Sequence, residues 1–115
     1  MTAPRFSLRI DLPNGSRLGT GKIALLEAVQ SRRSIAAAAR DHGMSYRRAW
    51  LLVDTMNQCF KTPVVDTLTG GQKGGGARVT EIGHEVLNRY LEMEAKAVAS
   101  VKKDLAEFIR LMATR

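Results

Sequence analysis

Residues Ser34 to Val53 read SIAAAARDHGMSYRRAWLLV. Ser34 is suited to cap a helix N-terminus, and the run IAAAARDH after it is rich in strong helix formers. Gly43 follows where a helix C-terminus needs a residue tolerant of positive φ. Ser45 offers a second cap, and YRRAWLLVDTMNQCF continues for about four turns without glycine or proline. Two helices that cross at a tight turn need small residues at the crossing, glycine in the turn and apolar anchors on the second helix. Ala38 and Ala39, then Gly43, then Ala49 and Leu52 supply these in order. This spacing predicts a helix-turn-helix whose second helix enters a DNA major groove N-terminus first. An αα-hairpin in any helical protein uses the same small residues. The sequence favours DNA through Tyr46-Arg47-Arg48 in the first turn of the second helix, where cations oppose the positive helix terminus. Phosphates or guanine edges would neutralise that cost, whereas a merely solvated basic face would not.

The flanks complete an order. FSLRIDL, Phe6 to Leu12, alternates apolar and polar residues as a half-buried strand does. Pro13-Asn14-Gly15 turns it, and Arg17-Leu18-Gly19 can begin a return strand. Gly21 to Gln30 is predicted as a first helix, with a break over Ser31 to Arg33. On the other side Pro63 precludes continuation of the long helix, and VVDTL and ARVT are β-like segments flanking the glycine cluster of TGGQKGGG. They predict a hairpin with a glycine-rich tip, expected to be the most mobile part of the free protein. From Thr80, an N-cap, the rest contains no proline and one glycine, Gly83, so a helix of about 30 residues is expected. Strand, three helices, hairpin and helix make a mainly α fold with a small β component. It is the layout of a winged helix-turn-helix with a β-hairpin wing and a long C-terminal helix. Residues 1–80 would form the DNA-binding domain and residues 81–115 a dimerisation helix continuous with it.

Val98, Val101, Leu105, Phe108 and Met112 fall at alternating spacings of three and four, an a/d seam. Packing within one chain is the plain reading of so short a seam. A helix of about 45 Å nevertheless outruns the core of a small domain, which favours a homodimer interface.

Composition agrees with a polyanion partner. The 115 residues suffice for one core, and the formal net charge is +7. Between Arg32 and Arg78 eight basic residues face three acidic ones, whereas from Val79 onward six of each cancel. The excess coincides with the helix-turn-helix and the hairpin. A winged helix used only for protein–protein docking, the alternative reading, leaves that coincidence without a cause. No apolar run is long enough to span a bilayer, charges at Arg5, Arg9 and Asp11 interrupt any signal sequence, and the chain reads as cytoplasmic. The single cysteine, Cys59, makes no intramolecular disulfide and reads as an inert thiol rather than a redox sensor.

Catalysis finds little support, and the chain is expected to be neither an enzyme nor a holder of a cofactor or metal. GTGKIA, Gly19 to Ala24, imitates a dinucleotide fingerprint but lacks the parallel β-α-β context. In the glycine cluster Lys73 precedes the last glycines instead of following them before a Ser or Thr, so it is no phosphate-binding loop of a nucleotide hydrolase. His42, His84 and Cys59 have no metal-ligand spacing, and Glu92 and Glu94 face different directions on a helix.

The candidate DNA contacts are therefore Ser34 and Ser45, which place helix-terminal N–H groups against phosphate, Tyr46, Arg47 and Arg48 on the recognition helix, and Gln72, Lys73 and Arg78 in the wing. Arg47 is the first choice for guanine and Arg48 for phosphate or base. Tyr46 is suited to a phosphate oxygen or a thymine methyl. Leu51 and Asp54 follow on the same face. Trp50 is expected in the core or a domain seam rather than on a base.

The segments GKIALLEAVQSRRSIAAAARDHGMSYRRAWLLVDTMN and VVDTLTGGQKGGGARVTEIGHEVLNRY resemble the N-terminal winged-helix domain of ModE-type molybdate-responsive transcriptional regulators, over roughly residues 8–91. The helix-turn-helix is also similar to the LysR type, but the glycine-rich wing points to the former. The resemblance implies a homodimeric bacterial repressor or activator on a palindromic operator. Full-length members of that family carry C-terminal molybdate-binding domains. No candidate oxyanion site is read in these 115 residues, so a molybdate response is not carried over and any small-molecule effector is left open.

Overall fold

A computed structural model describes residues 4–68 and 76–113. The expected mainly helical fold with a small β component and a long C-terminal helix is what forms. The elements are β1 (Ile10–Asp11), β2 (Arg17–Leu18), α1 (Thr20–Arg32), α2 (Ile35–Asp41), α3 (Tyr46–Cys59), β3 (Val65–Leu68), β4 (Gly76–Val79) and α4 (Glu81–Ile109).

The first strand is shorter than its alternation suggests. Only Ile10 and Asp11 pair, antiparallel, with Leu18 and Arg17. The turn between them closes through Gly15, at φ +88°, and through the Asn14 side-chain oxygen, which accepts from the Ser16 N–H at 3.0 Å. The Asn14 amide also donates to the Cys59 carbonyl at 3.1 Å, so this turn holds the end of α3.

Helix α1 runs through Ser31 and Arg32, and the expected three-residue break shrinks to one residue. Arg33 adopts the left-handed conformation at φ 54° and its N–H returns to the Val29 carbonyl. The reversal turns the Arg33 carbonyl outward, where it accepts from the Ala77 N–H at 3.1 Å. The α1–α2 link thus docks the hairpin edge by a backbone bond.

Three helices and the hairpin enclose one core. Leu25, Leu26 and Val29 of α1, Ala38 and Ala39 of α2, and Ala49, Val53 and Met56 of α3 are buried in it. Val64, Val65, Ala77 and Val79 of the hairpin and Leu87 and Tyr90 of α4 complete it. Leu52, read as an anchor, packs against the core only partly buried.

The hairpin pairs antiparallel in the register Val65↔Val79 and Leu68↔Gly76. The expected glycine-rich tip, with Gln72 and Lys73, lies outside the described residues, and so does the expectation that it is mobile.

Helix α4 begins inside the core and ends far from it. Thr80 caps it, its hydroxyl accepting from the Gly83 N–H at 3.1 Å and donating to the Pro63 carbonyl at 2.7 Å. Gly83 lies against the foot of the hairpin: a Cβ there would collide with the Val64 carbonyl oxygen, just before β3, and with the Val79 side chain of β4. The glycine that reads as a mere interruption of the helix is what lets the helix pass the hairpin. Tyr90 is fully buried, and its hydroxyl donates to the Leu8 carbonyl. Beyond it the helix continues for five more turns, and the molecule measures 57 × 32 × 22 Å.

Candidate nucleic-acid interface

The α2–α3 corner is built by local chemistry. Ser34 caps α2 by accepting from the Ala37 N–H at 3.1 Å, and Ser45 caps α3 by accepting from the Arg48 N–H at 3.1 Å. Between them Gly43, at φ +63°, ends α2 in a Schellman motif. Its N–H returns to the Arg40 carbonyl, and the Met44 N–H returns to that of Ala39. Met44 folds back on the core, as the apolar residue after such a cap does. Ala38, Ala39 and Ala49 are essentially inaccessible, so the small side chains stand where the two helices approach each other.

This corner aims the first turn of α3 outward. Tyr46, Arg47 and Arg48 are exposed, and that turn contains no acidic residue. Among the described residues no carboxylate lies within 4.0 Å of Arg47 or Arg48, although seven ion pairs form elsewhere. Arg32, by contrast, pairs with Asp41 at 3.2 Å and ties α1 to α2. The two arginines of α3 have no such partner among the described residues and sit at a helix end that disfavours them by about 0.3–1 kcal/mol each.

Ser34, Tyr46 and the hairpin base come together. They line one shallow groove of about 320 Å³, with Trp50, Leu68 and Gly76 as further walls. Arg78 stands apart from that groove. It pairs across the hairpin with Asp66 at 3.5 Å and lines a different concavity with Gln30, Arg33 and His84. His84 is engaged there by Gln30, whose amide lies 3.1 Å from its Nδ1. Leu51 is exposed as expected, whereas Asp54 is half-buried and accepts from the Gln58 amide at 2.9 Å.

Two residues depart from the sequence reading. Trp50 is not in the core: it is 42% exposed, one turn beyond Tyr46 and on the same face. The buried face of α3 is centred on Ala49, Val53 and Met56, and Trp50, about 100° round the helix from Ala49, falls at its margin. Asn57 is given no role by the sequence reading, yet it fastens the hairpin to α3. Its Oδ1 accepts from the N–H groups of Val64 and Val65 at 2.9 and 3.0 Å, and its amide donates to the Val65 carbonyl at 3.1 Å. An asparagine at the inner edge of a helix just before a proline-led turn is the only hint the sequence offers.

The five seam residues form a second region. Val98, Phe108 and Met112 are 39%, 67% and 64% exposed, and Val101 and Leu105 are half-buried. The described residues contain no group of three or more His, Cys, Asp or Glu placed to hold a metal ion, and no helix long and apolar enough to cross a membrane.

No protein-family model matches the chain. Comparison with curated proteins does find relatives. The chain is 40% identical over 108 residues to the molybdenum-pterin-binding protein MopB of Rhodobacter capsulatus, covering 88% of this chain and 40% of that protein. It is 34% identical over 125 aligned positions to the molybdenum transport protein ModE of Azotobacter vinelandii, covering 97% and 46%. To the DNA-binding transcriptional dual regulator ModE of Escherichia coli K12 it is 38% identical over 69 residues, covering 60% and 26%. The chain thus spans less than half the length of these curated relatives. It is related in sequence to the molybdenum-pterin-binding proteins and the ModE regulators.

Proposed function

We propose that this chain is the DNA-binding part of a transcriptional regulator, a winged helix-turn-helix that reads duplex DNA with α3 in the major groove. The observation that carries this reading is the capped, outward-facing start of α3. It presents Tyr46, Arg47 and Arg48 with no acidic partner among the described residues. Arg47 is assigned to a guanine edge, where a bidentate arginine contributes about 1–3 kcal/mol of discrimination, and Arg48 to phosphate or base. The N-termini capped by Ser34 and Ser45 meet phosphates. The glycine-rich tip, with Gln72 and Lys73, and Arg78 at its base touch backbone or minor groove. For Arg78 that requires release from Asp66, an exposed pair that costs little to break.

Residues 1–80 act as the reading head and residues 81–115, which contain α4, as the dimerisation segment. The seam of Val98, Val101, Leu105, Phe108 and Met112 then pairs with a second copy. A homodimer places two recognition helices about 34 Å apart, or a small multiple of that, on a palindromic operator. Kinship with regulators named ModE supports the assignment. The molybdenum in the relatives' names attaches to proteins more than twice as long, and no effector is assigned to this chain.

The test is in-vitro selection from a random duplex pool, then fluorescence anisotropy on the selected and a scrambled duplex across a salt series. The selected duplex is expected to bind more tightly, with the log–log salt slope falling by close to 0.9 for each phosphate neutralised. Equal affinity for both duplexes would refute the reading.

A further inference from the structure

The outer face of α3 carries apolar side chains as well as charge. Tyr46, Trp50 and Leu51 are 56%, 42% and 51% exposed, within one and a half turns of helix. With Arg47 they line a shallow concavity of about 340 Å³. Such side chains leave water when they can, and grouped exposure of this kind marks a contact surface. Backbone phosphates give Trp50 and Leu51 nothing to contact and engage Tyr46 only through its hydroxyl, and the α3 cations account only for phosphate and guanine.

The occupant must be apolar, small enough for a shallow concavity, and reachable while Arg47 engages an anion-rich partner from the same rim. The thymine C5-methyl group meets all three requirements. It is the one apolar group on the major-groove edge of a base pair and lies level with the guanine O6 and N7 that arginine reads. We infer that Trp50, with Tyr46 and Leu51, forms a methyl-reading patch that selects thymine at a defined position beside the Arg47 contact. Trp50 is the centre of this patch because, of the three, it alone borders the Tyr46–Leu51 concavity, the groove towards the hairpin base that Tyr46 shares, and a further groove along Val65 to Leu68. This inference rests on the proposed placement of α3 in the major groove and assigns to it a base and a chemical group.

The experiment replaces thymines of the selected duplex, one at a time, by deoxyuridine, which deletes the methyl and leaves every hydrogen-bonding group in place. At one thymine or more the wild-type protein should lose about fourfold in affinity per methyl, the equivalent of about 0.8 kcal/mol. Trp50→Ala should bind the thymine duplex more weakly and lose less than about twofold further on the same uracil swap. Trp50→Phe, which keeps an apolar ring, should retain part of the discrimination. Because the DNA substitution needs no protein variant, an unfolded mutant does not hide the answer. Wild-type binding indifferent to every uracil swap overturns the methyl-reading patch while leaving DNA recognition standing. Undiminished sensitivity in a folded Trp50→Ala protein overturns the role of Trp50. A pool that yields no preferred duplex refutes the placement on DNA and the patch together.

Discussion

The two halves of α4 follow similar apolar spacing and meet opposite fates. In the first half Gly83, Leu87 and Tyr90 are buried, Gly83 beside Val64 and Val79 and Tyr90 beside the N-terminal segment. In the second half Val98 and Phe108 face solvent, as does Met112 just past the helix end at Ile109. Periodicity is the same signal in both, so it shows that a stripe exists but not what covers it. The cover depends on reach. The core ends near Tyr90, and the helix continues about 29 Å beyond it at 1.5 Å per residue. An apolar stripe that long in water costs free energy unless something else covers it.

The contrast breaks first at Gly83. Gly83→Ala should destabilise the fold by about 3 kcal/mol or more, because the new Cβ meets the Val64 carbonyl oxygen, which is backbone and cannot swing away. Urea denaturation reads this, and a variant as stable as the parent would mean that α4 does not pass Val64 so closely. Tyr90→Phe should cost about 1 kcal/mol near neutral pH through the lost bond to the Leu8 carbonyl. Burial, reinforced by the nearby Glu94 carboxylate, pushes the Tyr90 phenol above its ordinary value. The fold therefore favours the neutral phenol. That contribution is fully present below pH ~10, the unfolded value, and is lost as pH rises through the higher folded value. The Phe variant should lack this alkaline loss, as pH-dependent melting would show. Phe108→Glu should be the mildest for the folded monomer, within about 0.5 kcal/mol. Yet it should shift the protein from dimer to monomer in sedimentation. If it unfolds the chain instead, the second half of α4 packs on its own core and the contrast between the halves fails.

What the sequence made legible was local. The caps at Ser34, Ser45 and Thr80, the positive φ at Gly43 and the small residues between α2 and α3 all announce themselves within a few positions. What it concealed depends on contacts between distant segments. Gly83 matters because of Val64, Asn57 because of Val65, and Arg33 because its carbonyl meets Ala77. Residue type also misled in two places. Trp50 is large and aromatic, which suggests the interior, but Ala49 and Val53 already occupy the inward face of that turn. Phe6 extends the alternation of the first strand, yet it is 40% exposed and has no paired neighbour, so hydrophobic pattern alone made the strand too long. Trp50 is also where the site reading gained most, because its exposure adds an apolar contact to a surface otherwise described by charge.

The central claim is that α3 reads base sequence through its first turn. The most direct measurement is the affinity ratio between the selected and a scrambled duplex, for the wild type and for Arg47→Ala, with helical content checked by circular dichroism. Loss of a guanine contact predicts that the ratio falls about tenfold or more while binding to the scrambled duplex changes much less. An unchanged ratio in the folded variant would contradict the account.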